Sequence, residues 1–304
     1  MVKEKKVIIL LSTYNGEKYI EQQINSLLKQ TYKNINIYVR DDGSKDGTLE
    51  ILKKYEEKGE IFLIQGKNIG FINSFMELLK KVEKADYYSF CDQDDVWNED
   101  KIERAVRALE KEDNDKILLY ASNYEFYDSN MEFLGKSPYK NKKPSFQKAI
   151  VECISPGMTM MINEKARKEV ANNTPNYCAY HDWWMYLVAS AFGKVVYDNT
   201  PTVKYRRHKE NVSEEEAGVL KLIVRTIKRR KFSNIWNKLK KQLINFNEIY
   251  GENLKEEDKK ILKLFINEKF SFRNYFRKIF YKGRYKDKIK DEIVIRIMFA
   301  LGKI

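Results

Sequence analysis

Short apolar, β-branched runs alternate with stretches of helical period through the first hundred residues. "KVIILLS" reads as a strand, and "EKYIEQQINSLLKQ" sets Ile20, Ile24, Leu27 and Leu28 on one helical face. "INIYVRDDGS" is a strand ending in acids and glycine, "GTLEILKKYEEKG" a helix and "EIFLIQG" a third strand. "NIGFINSFMELLKKVEKA" spaces Phe71, Phe75, Leu78, Leu79 and Val82 as a helix, and "DYYSFCDQDD" returns to strand. This order predicts an α/β fold, a mostly parallel sheet flanked by helices with right-handed crossovers. Ligands of such sheets bind beyond the carboxyl ends of the strands.

Polar residues gather at those ends. "STYNGEKY" follows the first strand, "RDDGSKDGT" the second, "GKNIG" the third and "CDQDDVW" the fourth. Each alone reads as turn chemistry, with Ser44 or Asp46 capping the next helix. Four in succession build one polar rim. Asp92, Asp94 and Asp95 fall within four positions, and on an extended backbone Asp92 and Asp94 point the same way. Carboxylates so close repel unless a cation lies among them, and oxygen ligands beside a diphosphate suit Mg²⁺ or Mn²⁺. Capping of the helix in "EDKIERAVRALEK" by Asp95 accounts for one acid, not three.

Composition adds a boundary. The chain has 304 residues, enough for one large domain or a domain with an appendage. Its net charge of +13 is uneven: residues 1 to 220 hold 33 Lys and Arg against 35 Asp and Glu, and residues 221 to 304 hold 24 against 9. The shift, with the polar link "SEEEAG" at 213–218, divides the chain into a domain at 1–217 and a basic region at 218–304. Cys91, Cys153 and Cys178 are too scattered for a disulfide framework or a CxxC metal site, which points to buried thiols and a reducing compartment. The first apolar run is too short for a signal peptide and no stretch reaches the length of a membrane span, so a cytoplasmic location is expected.

The set "STYNGEKYI", "RDDGSKDGT", "NIGFINSF" and "DQDDVW", in this order, resembles the nucleotide-sugar half of family 2 glycosyltransferases of GT-A fold. The likeness continues through "ISPGMTMMIN", "HDWWMYLVASAFGKVVYDN" and "YRRHKENVS", covers about residues 5 to 213, and is strongest to bacterial rhamnosyltransferases of cell-wall or capsular polysaccharide assembly. It implies a nucleotide-sugar half to about residue 100 and an acceptor half beyond it. It assigns Ser12 and Tyr14 to the nucleotide pocket, Asp42 to the pyrimidine imide and Asp41 to support of the loop. Asn68, Gly70 and Asn73 would line the ribose or sugar side, and Asp92 would sit by the ribose or metal. Asp94 would ligate a divalent metal, Mg²⁺ or Mn²⁺, with His208 completing the metal or diphosphate environment. Asp182 would be the general base, with His181 shaping its loop.

On the acceptor side the resemblance implies Pro156 and Gly157, where "SPG" replaces the Gly-Gly pair of relatives, and Trp183 and Trp184, one stacking on a sugar and one in the core. It implies an inverting transfer of a sugar, L-rhamnose from dTDP-rhamnose, to a lipid-linked oligosaccharide. A UDP-hexose is the alternative donor. The lysine-rich tail has its own reading: "FSNIWNKLKKQLINFNEIY" places Ile235, Leu239, Leu243, Phe246 and Tyr250 on one stripe beside lysines, and "KIFYKGRYKDKIKDEIVIRIMFALGKI" mixes aromatics, lysines and a short apolar end interrupted by Arg296, as suits an anionic membrane surface at the inner face of the cell membrane. Packing of this stripe on the catalytic domain is the plainer reading. A nucleic-acid-binding role for the same tail leaves the rim of acids unexplained, and no nucleic-acid partner is expected.

Overall fold

The computed structural model describes residues 4–208, 231–267 and 272–301. The "SEEEAG" link lies outside them. The chain runs through β1 (Val7–Thr13), α1 (Ile20–Leu28), β2 (Ile35–Asp41), α2 (Thr48–Glu57), β3 (Phe62–Gln65), α3 (Phe71–Lys81) and β4 (Tyr87–Cys91). A short β5 (Val96–Trp97) leads to α4 (Lys101–Leu109), β6 (Ile117–Tyr127), β7 (Phe133–Lys136), α5 (Phe146–Ala149), β8 (Met160–Asn163), α6 (Glu164–Asn172), α7 (His181–Phe192) and β9 (Gly193–Arg206). The basic region supplies α8 (Lys231–Tyr250), α9 (Glu256–Ile266), α10 (Phe272–Ile279) and α11 (Ile289–Ala300).

The strands form one sheet in the order β3-β2-β1-β4-β8-β6-β9-β5, with β7 hung on β6. Strands β3, β2, β1 and β4 are mutually parallel, as are β6 and β9. Strand β8 is antiparallel to both β4 and β6, and β5 and β7 pair antiparallel to β9 and β6. From β1 the chain proceeds to β2 on one side and later to β4 on the other. This change of direction leaves a crevice outside the carboxyl ends of β1 and β4, where ligands of such sheets bind.

Alternation along β1 shows how the core is divided. Ile8 and Leu10 pack on one face with Phe75 and Leu78 of α3 and Trp184 of α7. Val7, Ile9 and Leu11 pack on the other with Ile24 of α1, Leu52 of α2 and Ile102 of α4. All five β1 side chains are wholly buried, each contributing about 1.5–3 kcal/mol. The predicted α1 face is narrower than expected, because Leu28 turns to solvent while Ile20, Ile24 and Leu27 are buried.

From Leu239 on, the stripe of α8 faces protein; the side chain of Ile235 lies outside the described residues. Leu239, Leu243, Phe246 and Tyr250 are buried, and Phe246 meets Trp184 of α7 edge-on, with ring centroids 5.6 Å apart. These residues belong to the same core as α3 and α7, so they are not available to lipid.

Asp95 does not cap α4, which has Asp100 at its N-cap position. It is buried instead, accepting the Arg206 N–H at 3.0 Å. Nearby, Lys101 is fully buried, its Nζ 4.0 Å from the Trp97 ring centroid and 3.3 Å from Ser89 Oγ. Burial pulls its pKa down from 10.5 to about 7. Between those values the unfolded chain binds a proton that the folded chain releases, so stability rises with pH across the window. Urea denaturation is expected to show that rise, and Lys101→Met to remove it while stabilising the protein near pH 7 by about 1 kcal/mol or more. A parent whose stability is flat or falls across the window contradicts the argument.

Candidate active site

A cavity of about 710 Å³ opens at the carboxyl ends of β1 and β4. Asp92 and Asp94 line it from the end of β4, Ser12 and Tyr14 from the end of β1, and Asp182 and His181 from the start of α7. Gln93, between the two acids, turns back toward β1. Its Oε1 accepts Thr13 Oγ1 at 2.7 Å and the Tyr14 N–H at 2.8 Å, so one side chain staples the two strand ends.

Burial, then Asp94, then Asp182 push the Asp92 pKa up to about 7. Three carboxylates, Asp92, Asp94 and Asp182, thus crowd one cavity whose lining also holds Lys18, Arg207 and His208. Asp94 Oδ2 lies 2.8 Å from His208 Nε2, and the His208 ring packs on Tyr19. A carboxylate and an imidazole side by side, with the buried carboxyl of Asp92 next to them, fit a first-row divalent cation. Among the described residues no three His, Cys, Asp or Glu side chains converge as a complete metal site. Two protein ligands with substrate phosphate oxygens filling the shell is the pattern expected of Mg²⁺ or Mn²⁺.

The end of β2 builds the opposite wall. Asp41 accepts the N–H groups of Gly43 and Ser44 at 3.2 and 3.0 Å and lies behind the lining, supporting the turn. Gly43 has φ +79°, which a side chain would strain. Asp42 does reach the cavity. Its carboxylate pairs with Arg40 and accepts the Ile69 and Gly70 N–H groups at 2.9 and 2.8 Å, so it anchors the loop that carries Asn68 and Gly70 into the lining.

Asp182 sits in the first turn of α7, where the helix dipole favours a carboxylate. It accepts the Trp183 N–H at 2.7 Å and the Gly157 N–H at 3.2 Å. Pro156 and Gly157 also line the cavity. A Cβ at Gly157 would come within 2.8 Å of His181 Nε2, which explains the glycine. The His181 ring stacks on Phe75 at 4.3 Å, and burial lowers its pKa, keeping the imidazole neutral. Burial raises the Cys91 and Cys153 pKa values, as expected of inert thiols.

With this geometry in place, comparison with known proteins is direct. Residues 8–171 match the model for glycosyl transferase family 2. The chain belongs to that family. It is 32% identical over 220 residues to the dTDP-rhamnosyl transferase RfbG of Shigella flexneri, covering 66% of this chain and 72% of that protein. The S. aureus TarS 1–349 structure in complex with UDP-GlcNAc shares the fold, with TM-score 0.61 and 19% identity over 97% of this chain and 81% of that one. The mannosyltransferase PcManGT of Pyrobaculum calidifontis, in complex with GDP-Man and Mn²⁺, does so with TM-score 0.55 and 12% identity, covering 99% and 86%. The fold is therefore the GT-A fold of glycosyltransferases.

Besides Asp41, three residues assigned to this site from the sequence lie away from the cavity. Asn73 is exposed, and its Nδ2 donates to the Ile69 carbonyl at 2.8 Å, closing a helical turn. Trp184 is wholly buried because the period of α7 turns it into the core, away from sugar. Trp183 is held by its indole N–H, which donates to the Ala149 carbonyl at 2.6 Å.

Other residues were passed over in the sequence. Arg206, within the quoted "YRRHK", donates through Nε to the Asp94 carbonyl at 2.8 Å and stacks on Tyr19, tying the acid loop to the His208 segment. Pleating sends its neighbour Arg207 into the cavity lining, where Lys18 adds a second cation. Gln242 of α8 is fully buried, and its Oε1 accepts the Ala179 and Tyr180 N–H groups at 2.9 and 3.1 Å. Those two residues immediately precede His181 and Asp182. Gln242→Ala is expected to lower kcat about tenfold or more with little change in nucleotide affinity, since a positioning partner is lost on the Asp182 side only. An unchanged kcat in a folded variant contradicts this role.

Proposed function

We propose that the chain transfers a 6-deoxyhexose, L-rhamnose from dTDP-rhamnose, with inversion onto a hydroxyl of a lipid-linked bacterial surface glycan. The observation that carries this reading is the meeting, in one cavity, of the Asp94–His208 pair and the Asp182 carboxylate at opposite strand and helix ends. The nucleotide diphosphate would lie over β1 and β4, with Arg207 and Lys18 balancing its charge. A divalent cation held by Asp94 and His208 would supply Lewis-acid neutralisation of the leaving diphosphate.

Asp182 takes the proton from the acceptor hydroxyl as its oxygen bonds to the anomeric carbon. The bond from that carbon to the diphosphate breaks on the opposite face, and its electron pair leaves with the diphosphate oxygen. One displacement inverts the centre. The two N–H groups on Asp182 fix its orientation and leave lone pairs for the hydroxyl. The rhamnosyl choice is supported by the name of the Shigella relative and by the cavity wall beside Asp182. Phe71, Phe75 and Met158 there suit a methyl group, whereas a hexose 6-hydroxyl against them would go without a hydrogen bond.

Two substitutions separate binding from chemistry. Asp182→Asn is expected to bind nucleotide as the parent does and to lose transfer by about 10²- to 10⁴-fold, read as dTDP release from dTDP-rhamnose with membrane-extracted acceptor. Asp94→Asn is expected to weaken Mn²⁺-dependent nucleotide binding about tenfold or more. Near-normal turnover in Asp182→Asn overturns the base assignment.

A further inference from the structure

The last two helices present a surface that the catalytic site does not use. Helices α10 and α11 form a hairpin in which the Tyr275 hydroxyl donates to the Ala300 carbonyl and the Arg296 guanidinium donates to the carbonyls of Tyr281 and Gly283 at 2.9 and 2.8 Å. Its inner side is ordinary core: Tyr285, Ile295, Met298 and Phe299 are buried, with Tyr285 and Phe299 packed on Phe265 of α9. Its outer side is apolar too. Phe276 and Phe280 stand four apart at the end of α10, their rings stacked at 6.2 Å, and Ile289, Ile293, Ile297 and Leu301 recur every four residues along α11.

All six are exposed, Phe280 by 72% and Ile289 by 67%. Of the fourteen large hydrophobic side chains exposed among the described residues, seven fall between 272 and 301. Scattered exposure is normal, but concentration of this kind marks an interaction surface. The cross-hairpin contacts run antiparallel, Tyr275 to Ala300 and Arg296 to Tyr281, which sets the end of α10 beside the middle of α11.

The charges around this face decide its occupant. Arg273, Arg277, Lys282, Arg284 and Lys290 are exposed along the hairpin. Of the three acids between 272 and 301, Asp287 pairs with Lys148 and Glu292 with Arg296, leaving Asp291 as the third. An apolar strip bordered by cations complements an anionic phospholipid surface, with the hydrocarbon side chains inserted and the guanidinium and ammonium groups at the headgroups. A second copy of the chain would bring the same cations against themselves. The helices, of 8 and 12 residues, extend about 12 and 18 Å and cannot cross a hydrocarbon core of about 30 Å.

We infer that the α10–α11 hairpin is a membrane-docking face that lies in the plane of an anionic bilayer. This surface is separate from the α8 stripe, which is spent on the core, and it does not depend on the donor or the acceptor. The test is flotation of the full chain, without nucleotide, with vesicles of phosphatidylcholine alone and of phosphatidylcholine containing phosphatidylglycerol. Binding is expected to the anionic vesicles, to fall with added salt, and to drop about tenfold or more in Phe276→Glu/Ile293→Glu at unchanged melting temperature. Both positions are exposed, and Arg277→Glu/Lys290→Glu serves as an independent pair with the same expected loss. Equal binding to both vesicle types overturns the inference, as does binding undiminished in both double variants. So does absence of vesicle binding, whether the chain instead forms a dimer that Phe276→Glu/Ile293→Glu splits or binds single-stranded RNA.

Discussion

The carboxylates at the head of the sheet are the constraint around which this molecule is arranged. Asp92, Asp94 and Asp182 share one cavity, and crowding with burial drives Asp92 toward neutrality near pH 7. A fold does not gain stability from such a cluster. It is held in place by groups that spend their hydrogen bonds on it: Gln93 stapling β4 to β1, Arg206 gripping the Asp94 carbonyl, and backbone N–H groups fixing Asp182. A divalent cation would relieve the same crowding, and Asp94 and His208 are the groups that would hold it.

The basic C-terminal helices take part in that arrangement. Helix α8 seals one face of the core with Leu243 and Phe246, and its Gln242 fastens the backbone ahead of Asp182. The backbone leading into Asp182 is therefore positioned by a segment more than sixty residues further along the chain. Beyond α8, the α10–α11 hairpin has its own buried face and an apolar, cation-bordered face turned outward, so one region serves both the placement of Asp182 and an outer surface.

The parts legible in the sequence were those with local signatures. Strands β1 to β4 and helices α1 to α3 follow from period and turn residues, and the acids at the strand ends follow from pleating, which puts Asp92 and Asp94 on one side. Helical phase relative to the cavity was less legible: Asn73 lies in the right motif but on the far side of α3, and while Trp184 takes the expected core place, Trp183 does not line the cavity. Gln93, Arg206 and Gln242 act through contacts across 63 to 112 residues, for which neighbouring residues give no signal. Amphipathic period announced an apolar stripe on α8 without saying what covers it, and the answer is Trp184. The last segment reads in the sequence only as a mixture of aromatics, lysines and apolar residues interrupted by Arg296, and the fold sorts these into a buried face and an exposed one.

The central claim is that the crevice at β1 and β4 is a metal-assisted nucleotide-sugar site specific for a deoxythymidine diphosphate. Calorimetric titration of the purified protein with dTDP and with UDP, each with and without Mn²⁺, tests it most directly. The account predicts binding that requires Mn²⁺ and favours dTDP over UDP. Equal or stronger binding of UDP contradicts the donor, and failure of both nucleotides to bind, with or without the metal, contradicts the site.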